Sequence, residues 1–383
     1  MKKVYLPLVL LLMFFRLSAQ DEQSRVIVPG VPFLLIASDA RSSGMGDIGV
    51  ASSPDAYSQQ WNPAKYAFSE QQFGVGFSYT PYLAELVNDI SLLQANFYNR
   101  INERSAFAFS LRYFGLGEIE LRQSASDPGE IVKPNELSID GSYSLKLSDR
   151  FSMAIAGRYI RSNLRLQQVD ANARAGNSFA VDVAGYYQSE EIPYNTFDGR
   201  WRFGFNVSNI GPKIEYDEGG QQNFLPTNLK FGGGFDFIFD EYNKLAINTE
   251  FNKLLVPTPQ DFNNDGVIDA TDNEEYQNIG FLSGIFESFG DAPDGFGEEL
   301  QEITWALGAE YWYQDAFALR TGYFNESDEK GARKFFTMGA GFKFKAATID
   351  VSYLFSTSQV RNPLENTLRF SLTLNFGQEY FEF

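Results

Sequence analysis

From Leu368 to Phe376 the chain alternates without a break, with Leu368, Phe370, Leu372, Leu374 and Phe376 on one side and Arg369, Ser371, Thr373 and Asn375 on the other. A period of two belongs to an extended strand, whose successive side chains point to opposite faces. The same pattern recurs far upstream. Ile349, Val351, Tyr353 and Phe355 alternate with Thr348, Asp350 and Ser352, and Phe151, Met153, Ile155 and Tyr159 with Ser152, Ala154, Ala156 and Arg158. Trp201, Phe203, Phe205 and Val207 alternate with Arg202, Gly204, Asn206 and Ser208. Large apolar residues on one face and small or charged ones on the other suit a wall between lipid and a polar lumen.

No segment reaches the roughly 18 uninterrupted apolar residues of a membrane-crossing helix. A chain that crosses a bilayer without helices must be a closed barrel, because hydrocarbon offers backbone groups no hydrogen-bond partner. Aromatics make up 16% of the chain, enough to furnish interfacial girdles, and the mean hydropathy of -0.26 fits a wall with one wet face. Strands are expected near 73–80, 90–99, 105–117, 137–148, 151–167, 177–188 and 200–210. The second half adds 227–239, 244–254, 302–313, 316–325, 334–345, 347–356 and 366–377. The fold class is therefore all-β, a transmembrane antiparallel barrel of about 14 strands with an N-terminal hatch, or plug, in its lumen.

Short connections at Ser148–Arg150, Asp240–Asn243, Gln314-Asp315 and Lys345-Ala346 alternate with long ones at 118–136, 168–176, 211–226, 255–301, 326–333 and 357–365. Outer-membrane barrels put short turns in the periplasm and long loops outside, and an even strand count then places both termini in the periplasm. A soluble sandwich predicts no such asymmetry. The alternation fails only at 189–199, where a turn expected to be short is long.

The first 19 residues read as a cleaved signal peptide, with Lys2-Lys3, an apolar core from Leu6 to Phe15 and Leu17-Ser18-Ala19 before the cut. Residues 20–72 form a periplasmic segment and hatch, and 73–383 the barrel, with a long extracellular loop at about 255–301. The hatch contains Gly44-Met45-Gly46-Asp47-Ile48-Gly49, a letter-for-letter dinucleotide fingerprint. That motif requires a preceding strand. Here Ala37-Ser38-Asp39-Ala40-Arg41-Ser42-Ser43 precedes it, so the glycines are assigned to tight turning of the backbone.

These residues carry a resemblance. Asp39-Ala-Arg, Gly46-Asp-Ile-Gly-Val-Ala51, Ser53-Pro-Asp-Ala56 and Trp61-Asn-Pro-Ala-Lys-Tyr-Ala67 resemble the hatch of the FadL family of outer-membrane barrels, and within it the branch serving type IX protein secretion. The resemblance is dense over the hatch and mainly architectural beyond it. It implies a bacterial outer-membrane protein that binds the C-terminal domains of secreted cargo, associates with the SprA (Sov) translocon and delivers cargo to a PorU-type attachment complex. The wider family implies an alternative: transport of hydrophobic small molecules, with outer-membrane lipid as a partner. Pro29, Pro32 and Phe33-Leu34-Leu35-Ile36 either line a pocket for that purpose or pack as hatch core. The terminal Phe383 resembles the assembly signal of bacterial barrels.

The formal charge is -18, and loss of Lys2, Lys3 and Arg16 with the signal takes it to -21, which argues against nucleic acid as a partner. With no His and no Cys, Ser-His-Asp triads, Cys nucleophiles and His-ligated zinc are impossible, and no enzyme activity, deacylation included, is expected. By strand parity Arg112, Asp140, Lys146, Arg158, Asp182, Arg202 and Lys230 face inward. So do Asp236, Glu250, Glu310, Arg320, Lys343, Asp350 and Arg369, and together they are expected to pair around the plug.

One stretch has ligand spacing. Counting from Asp261, side-chain oxygens fall at positions 1, 3, 5, 9 and 12 (Asp261, Asn263, Asp265, Asp269, Asp272), Gly266 at 6 and the Val267 carbonyl at 7. This is the EF-hand arrangement, so Ca2+ is the expected cofactor. Asp272 replaces the usual Glu, which resembles extracellular calcium repeats such as dockerins. Asn273 to Phe289 is expected to leave the loop as a short amphipathic helix.

Overall fold

The structure, a computed structural model, describes residues 25–122, 128–165, 172–358 and 362–380. The leader and Phe383 lie outside the described residues. The barrel strands are β1 Gln71–Pro81, β2 Ile90–Arg100, β3 Ser105–Leu116, β4 Asn135–Ser148, β5 Phe151–Asn163, β6 Gly176–Gln188 and β7 Asp198–Ile210. They continue as β8 Asn228–Ile238, β9 Asn243–Leu254, β10 Thr304–Tyr313, β11 Phe317–Asn325, β12 Lys334–Phe344, β13 Ala347–Ser356 and β14 Leu368–Glu379. Each pairs antiparallel with its sequence neighbours, and β1 pairs back onto β14 from Gln71↔Glu379 to Tyr79↔Phe370. Closure leaves no free sheet edge, as a hydrocarbon surround demands.

The expected alternation holds. In β14, Arg369, Ser371 and Thr373 are buried while Leu368, Phe370 and Phe376 are exposed; in β7, Arg202, Asn206 and Ser208 are buried beneath Trp201 and Phe203. Of the expected inward charges, Lys343 departs: it is exposed at the barrel rim, where the hatch no longer covers the wall. Outward aromatics pair near the short-turn end, as Phe73–Phe376, Phe97–Phe107 and Phe317–Phe342, forming part of a girdle. Gln314 and Asp315 both take positive φ in the tight turn between β10 and β11, the geometry that matches strand twist.

The irregular 189–199 connection is a hairpin rather than a loose turn. Ile192-Pro193 pairs with Gly199 and Asp198, so β6 and β7 continue past the barrel rim. Between Gln188↔Arg202 and Ile192↔Gly199, three residues face two, a β-bulge. The turn itself is only Tyr194 to Phe197, closed by Tyr194 N–H donating to the Phe197 carbonyl at 2.9 Å.

The hatch runs the length of the lumen. Arg25 lies among the long loops, donating to Asp294 (2.8 Å) and Glu298 (3.0 Å), and Gly30 N–H donates to the Phe224 carbonyl at 2.8 Å. Deeper in, Arg112 reaches the Leu34 carbonyl at 3.1 Å, and the chain arrives at the short-turn mouth where Tyr380 N–H meets the Glu70 carbonyl at 2.7 Å. Gln71 and Glu379, the ends of the sheet, share the short-turn mouth, whereas the described part of the hatch begins at Arg25 among the long loops.

Candidate functional site in the hatch and the long-loop cap

The hatch opens with a one-turn helix, α1 (Ala40–Ser43), capped by Asp39, whose carboxylate accepts from Ser42 N–H at 2.8 Å and from the Trp61 indole at 2.7 Å. The three fingerprint glycines have packing roles. A Cβ on Gly49 would sit 2.2 Å from the Trp61 ring, Gly44 lies against Gly339 on β12, and Gly46 holds φ 83° against the backbone of Tyr323 on β11. The wall answers in kind: a Cβ on Gly322 would come within 2.0 Å of the Met45 carbonyl carbon. Asn62 and Lys65 complete the motif. Asn62 donates to the Val50 and Gly185 carbonyls (2.9 Å each), and the buried Lys65 ammonium to the Gly49 carbonyl (2.9 Å) and the Ser52 hydroxyl (3.0 Å).

Most inward charges serve this contact. Arg41 forks onto Glu310 at 2.9 and 2.7 Å and also reaches Asp55 at 2.8 Å. Glu310 is shared with Arg320 (2.7 Å), which binds Asp350 at 2.7 Å. One oxygen of Glu250 accepts the N–H groups of Gly49 and Val50, both at 2.8 Å. A second network joins Asp140, Arg158, Asp182 and Asn209 on the wall. Nearer the long loops, Val31, Phe33 and Leu34 fill an apolar cluster with Leu92, Phe114, Ile160, Ile214 and Leu225. The space left beside Leu34 and Leu35 is about 10 Å³, room for about one water. Of the two readings for Phe33 to Ile36, the hatch-core one describes Phe33 and Leu34.

The cap spans the long loop between β9 and β10 and carries helices α2 (Ala270–Asn278), α3 (Phe281–Glu287) and α4 (Phe296–Gln301). The expected single helix from Asn273 to Phe289 is broken at Ile279-Gly280, where the chain turns extended. Three buried acids tie the cap to the barrel mouth: Lys253 meets Glu299 (2.9 Å) and Glu302 (2.6 Å), and Lys330 meets Glu298 (2.6 Å) and Glu302 (3.0 Å). Burial acts to raise Glu302, but hydrogen bonds from Lys253 and Thr258 and the charges of Lys253 and Lys330 hold it below the ordinary carboxylate range. Glu298 is held low against burial in the same way by Lys330, the Asp294 N–H and Arg25. Burial pushes Asp291 up to about 6, and the nearby charges of Glu302 and Glu299 act in the same direction. Tyr276 also packs edge-on against Phe224, and Lys213 donates to the Gln277 carbonyl at 2.8 Å, while Phe286 is 76% and Phe296 77% exposed, with Leu282, Phe289 and Leu300 also exposed.

The residues with calcium spacing lie together in the cap. Asp261 accepts Asp265 N–H (3.2 Å) and Gly266 N–H (2.7 Å), and Asp265 accepts Val267 N–H (2.9 Å). Gly266 has φ 91°, the conformation its position in the turn requires. Asp269 caps α2, and Asp272 closes a capping box while accepting Phe262 N–H at 2.7 Å. Backbone N–H donors, Asp269 first, hold Asp272 below its ordinary value. Among the described residues no group of three or more acidic side chains converges as metal ligands; in this loop the carboxylates face backbone N–H groups instead.

The fold compares with solved outer-membrane channels. A TodX deltaS2S3 mutant monoaromatic hydrocarbon channel superposes with a TM-score of 0.50 at 11% identity, covering 88% of this chain and 99% of that one. The CymD monoaromatic hydrocarbon channel gives 0.49 at 13% identity over 90% and 99% of the two chains. A Pseudomonas aeruginosa FadL homologue gives 0.43 at 13% identity over 89% and 98%. No curated protein matches the sequence. The family described as type IX secretion system protein PorV matches residues 18–261, which take in the whole hatch and the first nine strands. The chain therefore belongs to the PorV family, type IX secretion components built as FadL-like outer-membrane barrels.

Proposed function

We propose that the chain works without enzymatic chemistry, as a closed barrel that binds the C-terminal signal domains of cargo at the SprA translocon and passes them to the PorU-type attachment complex. The long-loop mouth faces the outside, as long loops do in such barrels, and the short-turn mouth faces the periplasm. The observation that carries the reading is the cap: residues 255–301 hold eleven acidic residues and no Lys or Arg, and display Phe286 and Phe296 almost fully to solvent. Contiguous exposed apolar surface rimmed by charge marks a protein-binding face. Pull-down of the tagged barrel from native outer membranes, with mass spectrometry, tests it. Wild type is expected to recover a translocon subunit and secreted proteins sharing a C-terminal domain, and Phe286→Ser/Phe296→Ser to lose the secreted proteins. Recovery of the barrel alone, with bound fatty acid or hydrocarbon, moves the assignment to small-molecule transport.

We further propose that Asp261, Asn263, Asp265, the Val267 carbonyl, Asp269 and Asp272 bind Ca2+ and stiffen the cap. The donor spacing, the turn at Gly266 and a helix beginning directly after Asp269 support it. Calorimetric titration of the whole barrel with calcium is expected to give heat that Asp265→Ala abolishes; identical traces would sink the site.

A further inference from the structure

The bulged hairpin between β6 and β7 leaves a groove of about 600 Å³ on the outer wall, within the roughly 300–1,000 Å³ of small-molecule sites. Its floor is Tyr187, Trp201 and Phe203, which by strand parity face away from the lumen. Its rim is charged, with Arg150, Glu190 and Glu191 standing at the short-turn end of the barrel. Apolar floor and charged rim meet where the girdle places the edge of the hydrocarbon. Bulges bend the strand that carries them, and Glu190 and Glu191 fall in the bulged stretch between Gln188 and Ile192.

We propose that this groove binds one phospholipid with an ethanolamine headgroup from the periplasmic leaflet. The rim carries both signs of charge, so it complements a zwitterion whose ammonium can also donate hydrogen bonds. Arg150 takes the phosphate, Glu190 and Glu191 the ammonium, and an acyl chain lies over Trp201 and Phe203. Arg150 and Glu190 bind each other at 2.6 Å, and Arg200 donates to Glu191 at 2.8 Å, but with the Arg150, Glu190 and Glu191 side chains half or more exposed these pairs are cheap to open. A choline headgroup has no N–H to give the carboxylates, and a glycerol headgroup adds no cation for them.

The site rests on the orientation proposed above, and the test separates the two. Barrel reconstituted in nanodiscs of equal phosphatidylethanolamine, phosphatidylcholine and phosphatidylglycerol is released for native mass spectrometry. Wild type is expected to retain one ethanolamine lipid, and Arg150→Ala/Glu190→Ala at least about tenfold less, since two charge-assisted hydrogen bonds are lost. Tyr242→Ala, a girdle change outside the groove, is expected to retain lipid as wild type does, and heat-dependent gel mobility confirms that each variant is folded. Retention without headgroup preference, or equal retention by the rim variant, overturns the proposal. Labelling of Phe286→Cys on intact cells reads the orientation independently: unlabelled cysteine overturns the periplasmic leaflet as the source while the headgroup selectivity stands on its own result.

Discussion

Arg41 in the hatch and Glu298 in the cap are both paired charges on short helices within Gly-rich chain, yet their surroundings differ throughout. Around Arg41 the charges are enclosed between hatch and wall, shared among several partners, and accompanied by backbone-to-backbone contact through glycine. Around Glu298 the ties gather at a seam, a smaller contact joins Tyr276 and Gln277 to Phe224 and Lys213, and the outer face of the cap presents acid and phenylalanine to solvent. A buried ion network lacking one partner is costly, so the first arrangement resists change. A structure held at a seam can move with little loss elsewhere, which suits a surface that has to receive partners.

The comparison breaks most visibly at Glu310. Glu310→Ala leaves Arg41 and Arg320 buried without their shared carboxylate and is expected to destabilise the barrel by about 3–5 kcal/mol, measured as a lowered denaturant midpoint in detergent. Gly322→Ala puts a methyl group into the Met45 carbonyl and is expected to cost about 1–3 kcal/mol by the same measurement. Lys253→Met removes two cap ties at once. It is expected to lower hydrogen-exchange protection across residues 290–302 by about 1–3 kcal/mol of local opening, with the global midpoint unmoved.

The smallest effect is a pH dependence of cap docking. Asp291, pushed up to about 6, binds its proton more tightly when the cap is docked, so docking strengthens as pH falls from 7 through 6. Glu298 and Glu302 are held low, so their contribution is present above the ordinary carboxylate range and is lost as pH falls below it. Protection factors in the cap are therefore expected to peak at about pH 5. A flat cap profile between pH 7 and pH 5 would remove Asp291 from the docking contact.

Period-two alternation made the fourteen strands legible, because each strand carries its own face assignment in its residues. The hatch residues were legible as a dense motif, and their glycines as backbone devices. The bulge after Gln188 was not, since one extra residue registers in sequence only as a longer turn. The direction of the hatch was also hidden: no periodicity distinguishes a segment that enters the lumen at one mouth from one that enters at the other. Spacing placed the six cap oxygens in one loop, but it said nothing of the N–H groups competing for the same carboxylates, or of the break at Ile279-Gly280 that divides the helix beyond them.

The route of the hatch also limits how the molecule is assembled. Its far end is pinned at the long-loop mouth by Arg25, and the sheet closes where β1 meets β14, between residues about three hundred positions apart in sequence. Once that seam is zipped, the hatch is enclosed on every side. A segment entering later would have to be threaded lengthwise through a finished ring and strip the hydration from Arg41 on the way. The order of construction is thus written into the architecture: plug first, ring around it, seam last.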